Sequence, residues 1–508
     1  MKASELLSGC GLTKRAADCE ISTVVSDSRR VTASSLFICI CGTHRDGHDH
    51  AAEAFRNGAV RILSQHPVDG VPDDCLFLVP DTRAAESRIW YNFTGRPTDG
   101  MKKIAVTGTA GKTSCASMLA HILRAAGHRV GLITTAETLS GAKPLNLGTQ
   151  GGSSVADAAG AMTTPDPEYF FGACAQFLAD GCDTLVYEAS SQAIVQHKLD
   201  PLEHDAVIFT NLSPEHLDCH GTMENYFCAK ASLMKHTRCA VVNTDDAWME
   251  KLGGMFPDVP VISCSADPSK AASADVCALR YKADGAGGLE YVYFSEHAVF
   301  RITAPLFGKF SVINSLEAAA CAVHLGVNPL TVKEALSDFP GVRGRMMRVQ
   351  PAREDSCLPC VFIDYAHTPE ALTAALQALR SVTKGKLAVL FGCGGDRDRT
   401  KRPLMAAAAQ KYADDVIVTS DNPRTEDPDA IIKEICEGFD TSVPVTVIPD
   451  RRRAIFHAVR SFGGDDIVLC AGKGHEQYEI TADGKKPFDE EKIVLQAMRE
   501  KCIRQNNI

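Results

Sequence analysis

No apolar run in this chain approaches the ~18 residues that a membrane-spanning helix requires. Positive charge is short as well: 53 Lys and Arg stand against 63 Asp and Glu, a formal net charge of −10 at pH 7. That balance argues against a nucleic-acid or membrane partner, while leaving room for local patches that hold anionic ligands. No stretch reads as disordered, and no short-period repeat is present. Leu7-Ser8-Gly9-Cys10 looks like a lipoprotein cleavage box, but the six residues before it are too few and too polar for an apolar signal core. The expectation is a cytoplasmic monomer. Cysteine is abundant at 20 residues, yet scattered, and a pattern of that kind without a secretion signal reads as reduced core residues rather than a disulfide framework. Cys357 and Cys360 form a lone C-x-x-C with no second pair at ligand spacing, which argues against a zinc site.

At 508 residues the chain is too long for one core and suggests roughly three domains at about 150 residues each. Residues 1–98 hold short apolar strands such as 36–40, separated by turn-rich stretches. From 99 to 341 the pattern becomes strand and helix in alternation, with buried parallel strands at 104–106, 185–187, 206–209 and 240–242. A further change at Pro340-Gly341-Val342 opens a third stretch, 342–508. Its strands at 361–363, 387–390, 416–418, 445–447 and 467–469 alternate with helices such as 369–380 and predict a doubly wound, Rossmann-like α/β sheet.

Chemistry concentrates after the strand ends. Thr107-Gly108-Thr109-Ala110-Gly111-Lys112-Thr113-Ser114 lies between a strand and a helix. Glycines there let backbone N–H groups approach phosphate oxygens, and the helix N-terminus favours negative charge. Lys112 is placed to neutralise the β/γ-phosphates and the Thr113 hydroxyl to ligate Mg²⁺. The usual first glycine of such a phosphate loop is replaced by Val106, so this is a shortened variant. Three polar clusters follow later strands: Thr163-Thr164-Pro165-Asp166, Glu188-Ala189-Ser190-Ser191-Gln192, and Asn211 to Asp218 running on to Lys230. Beside a phosphate loop, Glu188 and His216 become candidate metal ligands; elsewhere each would read equally well as a capping or hydrogen-bonded residue.

These clusters, together with G-R-M-M-R-V from Gly344, D-Y-A-H-T-P-E from Asp364, G-C-G-G-D-R-D-R-T-K-R-P from Gly392, D-N-P-R-T-E from Asp421 and G-K-G-H-E from Gly472, occur in one order. Over residues 22–495 the chain resembles the Mur ligase family and, within it, the diaminopimelate-adding branch. The resemblance implies an amino-terminal UDP-binding domain, a central ATPase domain and a carboxy-terminal amino-acid-binding domain. It also implies ATP-dependent addition of meso-diaminopimelate to a UDP-muramyl dipeptide through an acyl phosphate, with Mg²⁺ as cofactor, in cell-wall synthesis.

Carried over by position, the resemblance places Gly108, Thr109, Gly111, Lys112, Thr113, Ser114, Asn314, Arg345 and His367 at ATP. Thr113, Glu188, His216 and a carbamylated Lys230 become the metal ligands. Ser28, Thr43, His44, Arg45, Thr163, Thr164, Ser190, Gln196 and Lys198 are implied at the UDP-muramyl dipeptide. Arg397, Asp421, Asn422, Arg424, Gly472 and Glu476 are implied at diaminopimelate. Two residues depart from the pattern: Ala110 stands where Asn is common, and Lys198 where Arg is common. Lysine keeps the charge and loses the bidentate fork.

Other readings stay open on sequence. A lysine-adding relative would lack Arg424, whose planar fork suits the carboxylate that distinguishes diaminopimelate from lysine. A folylpolyglutamate synthetase fits poorly with the UDP-type amino-terminal stretch and with D-N-P-R. A GTPase switch would need N-K-x-D, which is absent, and an inactive nucleotide-binding module would be expected to have lost Lys112, Glu188, His216 or Lys230.

Overall fold

The computed structural model describes residues 1–42, 46–145, 163–284, 288–351, 357–440 and 444–506. These form two compact units, Met1–Lys112 with Leu123–Ile262, and Thr113–Ile122 with Ser263–Ile508.

The first unit begins with a four-stranded parallel sheet, Thr23–Val25, Ser35–Ile38, Ala59–Ser64 and Leu76–Leu78, in sequential order. Asp81 caps the helix that follows, Thr82–Phe93, by accepting from the N–H groups of Arg83 and Ala84. A second parallel set comes next, in the spatial order Ala240–Asn243, Ala206–Phe209, Lys102–Thr107, Thr184–Glu188, Val130–Ile133. These strands are Val-, Ile- and Leu-rich and buried on both faces, as parallel strands covered by helices must be. The helix Pro167–Ala179 covers one face with Phe170, Phe171 and Phe177; the ring of Phe170 meets Tyr187 edge-on with centroids 5.1 Å apart.

The second unit holds an antiparallel run, Val276–Asp284, Gly288–Ser295 and Val299–Ala304. No expectation from sequence anticipated it, although Gly288–Ser295 alternates buried and half-buried positions as a one-face strand should. The last sheet has the order Met347–Arg348, Cys360–Asp364, Ile467–Ala471, Leu387–Phe391, Asp415–Val418, Val445–Val447, parallel except at its first strand. Separate apolar cores lie on its two faces: one includes residues of the helices Pro369–Arg380, Lys401–Tyr412 and Pro428–Cys436, the other residues of Arg451–Ser461 and Glu490–Asn506. That is the doubly wound arrangement, and the α/β class read from the sequence is the observed one. Two strands, Ala206–Phe209 and Val445–Val447, and the helix Pro369–Arg380 have the bounds expected. The amino-terminal strand is shorter, Ser35–Ile38 rather than 36–40.

All 20 cysteines are free thiols, Cys357 and Cys360 among them. Among the described residues no helix is long and apolar enough to cross a membrane.

One close contact in the first unit generates a stability test. The Phe177 ring lies directly on Gly131 in the strand Val130–Ile133, where a Cβ would overlap ring carbons. Gly131→Ala should therefore overpack this core by about 1–3 kcal/mol and lower the thermal midpoint measured by calorimetry. An unchanged or raised midpoint would contradict the packing described.

Candidate functional site

The phosphate loop is built by one close approach. Gly108 takes φ +149° and a Cβ there would overlap the Thr210 hydroxyl, so only glycine lets the backbone pass. The loop is then tied to the end of the neighbouring strand: Thr109 N–H donates to the Asn211 carbonyl at 2.8 Å, and Ala110 N–H to Asn211 Oδ1 at 2.9 Å. Gly111 also sits at positive φ, +83°, just before the helix Lys112–Ala125. The Lys112 ammonium folds over the loop, donating to the carbonyls of Gly108 at 3.0 Å and Thr109 at 2.7 Å.

Lys230 comes to the same carbonyl from the helix Met223–Ala231, whose start is capped by the Thr222 hydroxyl. Its Nζ donates to Gly108 O at 2.8 Å, lies 4.7 Å from the Tyr226 ring centroid, and is almost wholly buried at 1% exposure. Burial first, and the Lys112 charge second, hold its ammonium well below the ordinary lysine range; Glu215 acts weakly the other way. Glu188 ends the strand Thr184–Glu188 at 1% exposure. Its carboxylate accepts from Thr135 N–H at 2.8 Å and from the Thr135 hydroxyl at 3.0 Å. His216 precedes the short helix Leu217–His220 in the left-handed region, φ +56°, with its side chain 46% exposed. Among the described residues no three His, Cys, Asp or Glu side chains converge as a metal cluster. A cation here would have to draw on hydroxyl or carbamate oxygens as well.

The residues expected at the sugar dipeptide fall into two groups. Thr164 and Ser190 meet at the end of the Glu188 strand: the Thr164 hydroxyl donates to Glu188 O at 2.8 Å and accepts from Ser190 N–H at 2.9 Å. Ser190 caps the helix Ser191–Val195, accepting from Ala193 N–H, and Gln196 is that helix's C-cap. Thr163 adjoins them, half-buried. Lys198 is buried and pairs with Asp166 at 2.7 Å. Glu86, which sequence reasoning missed, feels both charges: its carboxyl is pushed up to about 7 by burial first and Asp166 second, with Lys198 and Arg83 opposing. Ser28 lies on the 3-10 turn Ser28–Arg30 with its hydroxyl 3.5 Å from Glu53, and Arg30 of that turn pairs with Glu168. Thr43, His44 and Arg45 lie outside the described residues.

In the second unit the Thr113 hydroxyl accepts from Arg345 at 3.2 Å, and the guanidinium of Arg345 lies 4.5 Å over the Tyr365 ring. His367 Nδ1 is 2.8 Å from Tyr365 O. Ser114 is half-buried in the first turn of its helix, and Asn314 is buried within the helix Lys309–His324.

The residues expected at diaminopimelate follow the ends of three strands, Leu387–Phe391, Asp415–Val418 and Ile467–Ala471. Arg424 sits at φ +53°, half-buried, with Nη1 donating to Gly395 O at 2.7 Å. Burial and then Arg397 lower its affinity for a proton, so two guanidinium groups share a region that suits a carboxylate. Gly472 takes φ +112° where a Cβ would overlap Asp421 Oδ2. The Asn422 amide is committed to protein partners, accepting from Lys473 and Ile480 N–H and donating to Glu476 Oε2 at 2.7 Å. Lys473 was visible only as a letter in G-K-G-H-E, and Thr135 carried no signal at all.

Comparison with known proteins gives concordant results. Residues 106–322 match the Mur ligase middle domain and residues 344–474 the Mur ligase glutamate ligase domain. A protein of Syntrophomonas wolfei named UDP-N-acetylmuramoyl-L-alanyl-D-glutamate–2,6-diaminopimelate ligase is 37% identical over 494 residues, covering 95% of this chain and 96% of its own. The protein of the same name from Synechococcus elongatus is 39% identical, with 96% and 95% covered. A solved structure bearing that ligase name is 30% identical, covers 95% of each chain and superposes with a TM-score of 0.65.

The depressed proton affinity of Lys230 has a measurable consequence. Between its folded value and the unfolded value near 10.5, the unfolded chain holds a proton that the folded chain has released. Stability from this group is therefore complete above the unfolded value and is lost as pH falls toward the folded one. In CO₂-depleted buffer, Lys230→Met should raise the thermal midpoint at pH 7 and lose that advantage toward pH 10. An equal effect at both pH values would show that Lys230 is not held neutral.

Proposed function

The chain belongs to the Mur ligase family, and we propose that it is the ligase that joins meso-2,6-diaminopimelate to UDP-N-acetylmuramoyl-L-alanyl-D-glutamate, driven by ATP, in peptidoglycan precursor synthesis. The observation that carries the reading is the convergence of Lys112 and the buried Lys230 on Gly108 O within a phosphate loop. A carboxylate is a poor acyl donor until one of its oxygens becomes part of a phosphate leaving group. The γ-phosphoryl of ATP therefore passes to the D-glutamyl γ-carboxylate. The acceptor amine then attacks the acyl carbon, loses its proton, and phosphate departs with the former carboxylate oxygen.

Each step assigns work to residues of this chain. Phosphoryl transfer brings two anions together, and Lys112, with the loop N–H groups at a helix N-terminus, offsets that repulsion and the charge that moves. Lys230, its proton affinity lowered by burial and by Lys112, is biased toward the neutral amine that adds CO₂ to become a carbamate. Thr113, Glu188, His216 and carbamylated Lys230 are the residues that would hold Mg²⁺; hydroxyl, carboxylate and carbamate oxygens fit a hard cation, and Thr135 keeps the Glu188 carboxylate fixed. Bound there, Mg²⁺ would supply charge neutralisation on the phosphate oxygens. Thr163, Thr164, Ser190, Gln196, Lys198 and Ser28 bind the UDP-muramyl dipeptide, and Asn314, Arg345 and His367 the adenosine. Arg424 and Arg397 take carboxylates of the acceptor, and Glu476 its distal ammonium. The protein is proposed to act as a monomer, and the nucleotide-linked substrates support a cytoplasmic location.

Lys112→Ala should lower turnover by roughly 100- to 1,000-fold, the usual loss when one stabiliser of developing charge is removed. Near-normal ligation by this variant would remove the ATP-site assignment. Given UDP-muramyl dipeptide and ATP, the wild type should ligate meso-diaminopimelate and scarcely any L-lysine, as read by mass spectrometry of the product. Arg424→Ala should cost about 2–5 kcal/mol in the acceptor KM and leave the KM values for ATP and UDP substrate nearly unchanged. Equal use of lysine and diaminopimelate by the wild type would overturn the acceptor assignment.

A further inference from the structure

Lys473 is an unusual residue: a lysine whose side chain is wholly buried, with the Glu476 carboxylate as its ion-pair partner. Its Nζ donates to Asn422 Oδ1 at 2.9 Å and to Tyr478 O at 3.0 Å, with the Phe488 ring centroid 5.4 Å away. The Glu476 carboxylate stands 3.9 Å off, one step further along the same chain of contacts.

That chain has a direction. Asn422 presents one oxygen and one NH₂ group, and flipping the amide exchanges them. Lys473 Nζ and Ile480 N–H, at 2.9 Å each, both donate toward one side, so the oxygen must face them. The NH₂ group then faces Glu476, and its 2.7 Å bond to Oε2 requires an accepting oxygen there. An ammonium, with three donors and no acceptor, cannot be satisfied by the flipped amide. The strand end bearing Arg424 is tied into the same unit, because Arg424 N–H donates to Ile480 O at 3.0 Å.

We propose that Lys473 is a positioning residue for acceptor selection: through Asn422 and through its own charge it holds Glu476 as an aimed, ionised carboxylate for the acceptor's distal ammonium. This rests on the reading above that these loops take the amino-acid acceptor. The surroundings of Glu476 explain why a buried cation is needed. Burial raises its carboxyl above the ordinary glutamate value and Asp421 adds to the rise, while Lys473, the Asn422 bond and Arg424 oppose it. Tyr365 also feels Glu476, and burial keeps it protonated.

The test is steady-state kinetics across pH 6.5 to 9 on full-length wild type, Lys473→Met, Lys473→Gln, Glu476→Gln and the double variant Lys473→Met/Glu476→Gln, with meso-diaminopimelate varied. Both Lys473 variants should raise the acceptor KM by about tenfold at neutral pH, on the order of one hydrogen-bonded charge interaction. The rise should shrink as pH increases, because removing the cation moves Glu476 protonation upward and higher pH restores the carboxylate. Lys473→Gln, which keeps a donor for Asn422, should fold normally and still show the pH dependence that follows from lost charge. In the Glu476→Gln background, Lys473→Met should add nothing further. Several outcomes would overturn the proposal: an unchanged acceptor KM, a pH-independent rise matched in the KM for ATP and UDP substrate, or fully additive effects in the double variant. Failure of the wild type to use diaminopimelate would instead remove the acceptor reading itself.

Discussion

Two lysine ammonium groups compete for one carbonyl oxygen. Lys112 and Lys230 donate to Gly108 O at 3.0 and 2.8 Å, and Lys230 does so from a position with almost no solvent. Two full cations at that spacing in a poorly hydrated site repel strongly. Two complementary changes would relieve the tension: loss of the proton from Lys230, whose proton affinity burial and Lys112 lower, and binding of an anion at the loop. A phosphate chain over Lys112 would answer the second demand, and conversion of Lys230 to a carbamate, as proposed, would turn the first into a source of oxygen ligands. The surrounding structure serves this arrangement. Asn211 holds the loop, Gly108 allows the close passage beside Thr210, and Thr135 holds Glu188 with two hydrogen bonds.

A similar economy of charge governs the acceptor loops. After burial, Arg397 disfavours the charge of Arg424, and an acceptor carboxylate would oppose that effect. Further along, the wholly buried Arg451 joins the same strand ends, donating to Ala471 O at 2.8 Å and to Glu490 at 2.7 Å. Lys473 does the equivalent for Asn422 and Glu476. On the proposed reading, selectivity for an amino acid carrying an extra carboxylate and an extra ammonium would depend on charges fixed in place before the ligand arrives. Such preorganisation is what makes charged groups effective in a site of low polarity.

Much of this was legible in the chain. Parallel strands announce themselves as continuous apolar runs, so Ala206–Phe209 and Val445–Val447 were readable to the residue, and the polar clusters after the strands were the places to propose ligand sites. The strand pair Val276–Asp284 and Gly288–Ser295 was not read, because half-buried antiparallel strands alternate apolar with polar residues and resemble loop composition. The residues proposed for the sugar dipeptide were only partly legible: Ser190 reads as a polar strand-end residue, yet its hydroxyl also serves as a helix cap. Least legible were contacts between distant positions. Thr135 meets Glu188 across 53 residues and Lys473 meets Asn422 across 51, and neither spacing leaves a local pattern.

The central claim is that ATP activates the D-glutamyl carboxylate as an acyl phosphate at the Gly108–Lys112 loop. It is tested most directly by labelling both oxygens of that γ-carboxylate with ¹⁸O, running the reaction with ATP and meso-diaminopimelate, and weighing the released inorganic phosphate. Phosphate carrying one ¹⁸O, with its partner retained in the new amide, is the predicted result. Unlabelled phosphate formed in step with product would contradict the account.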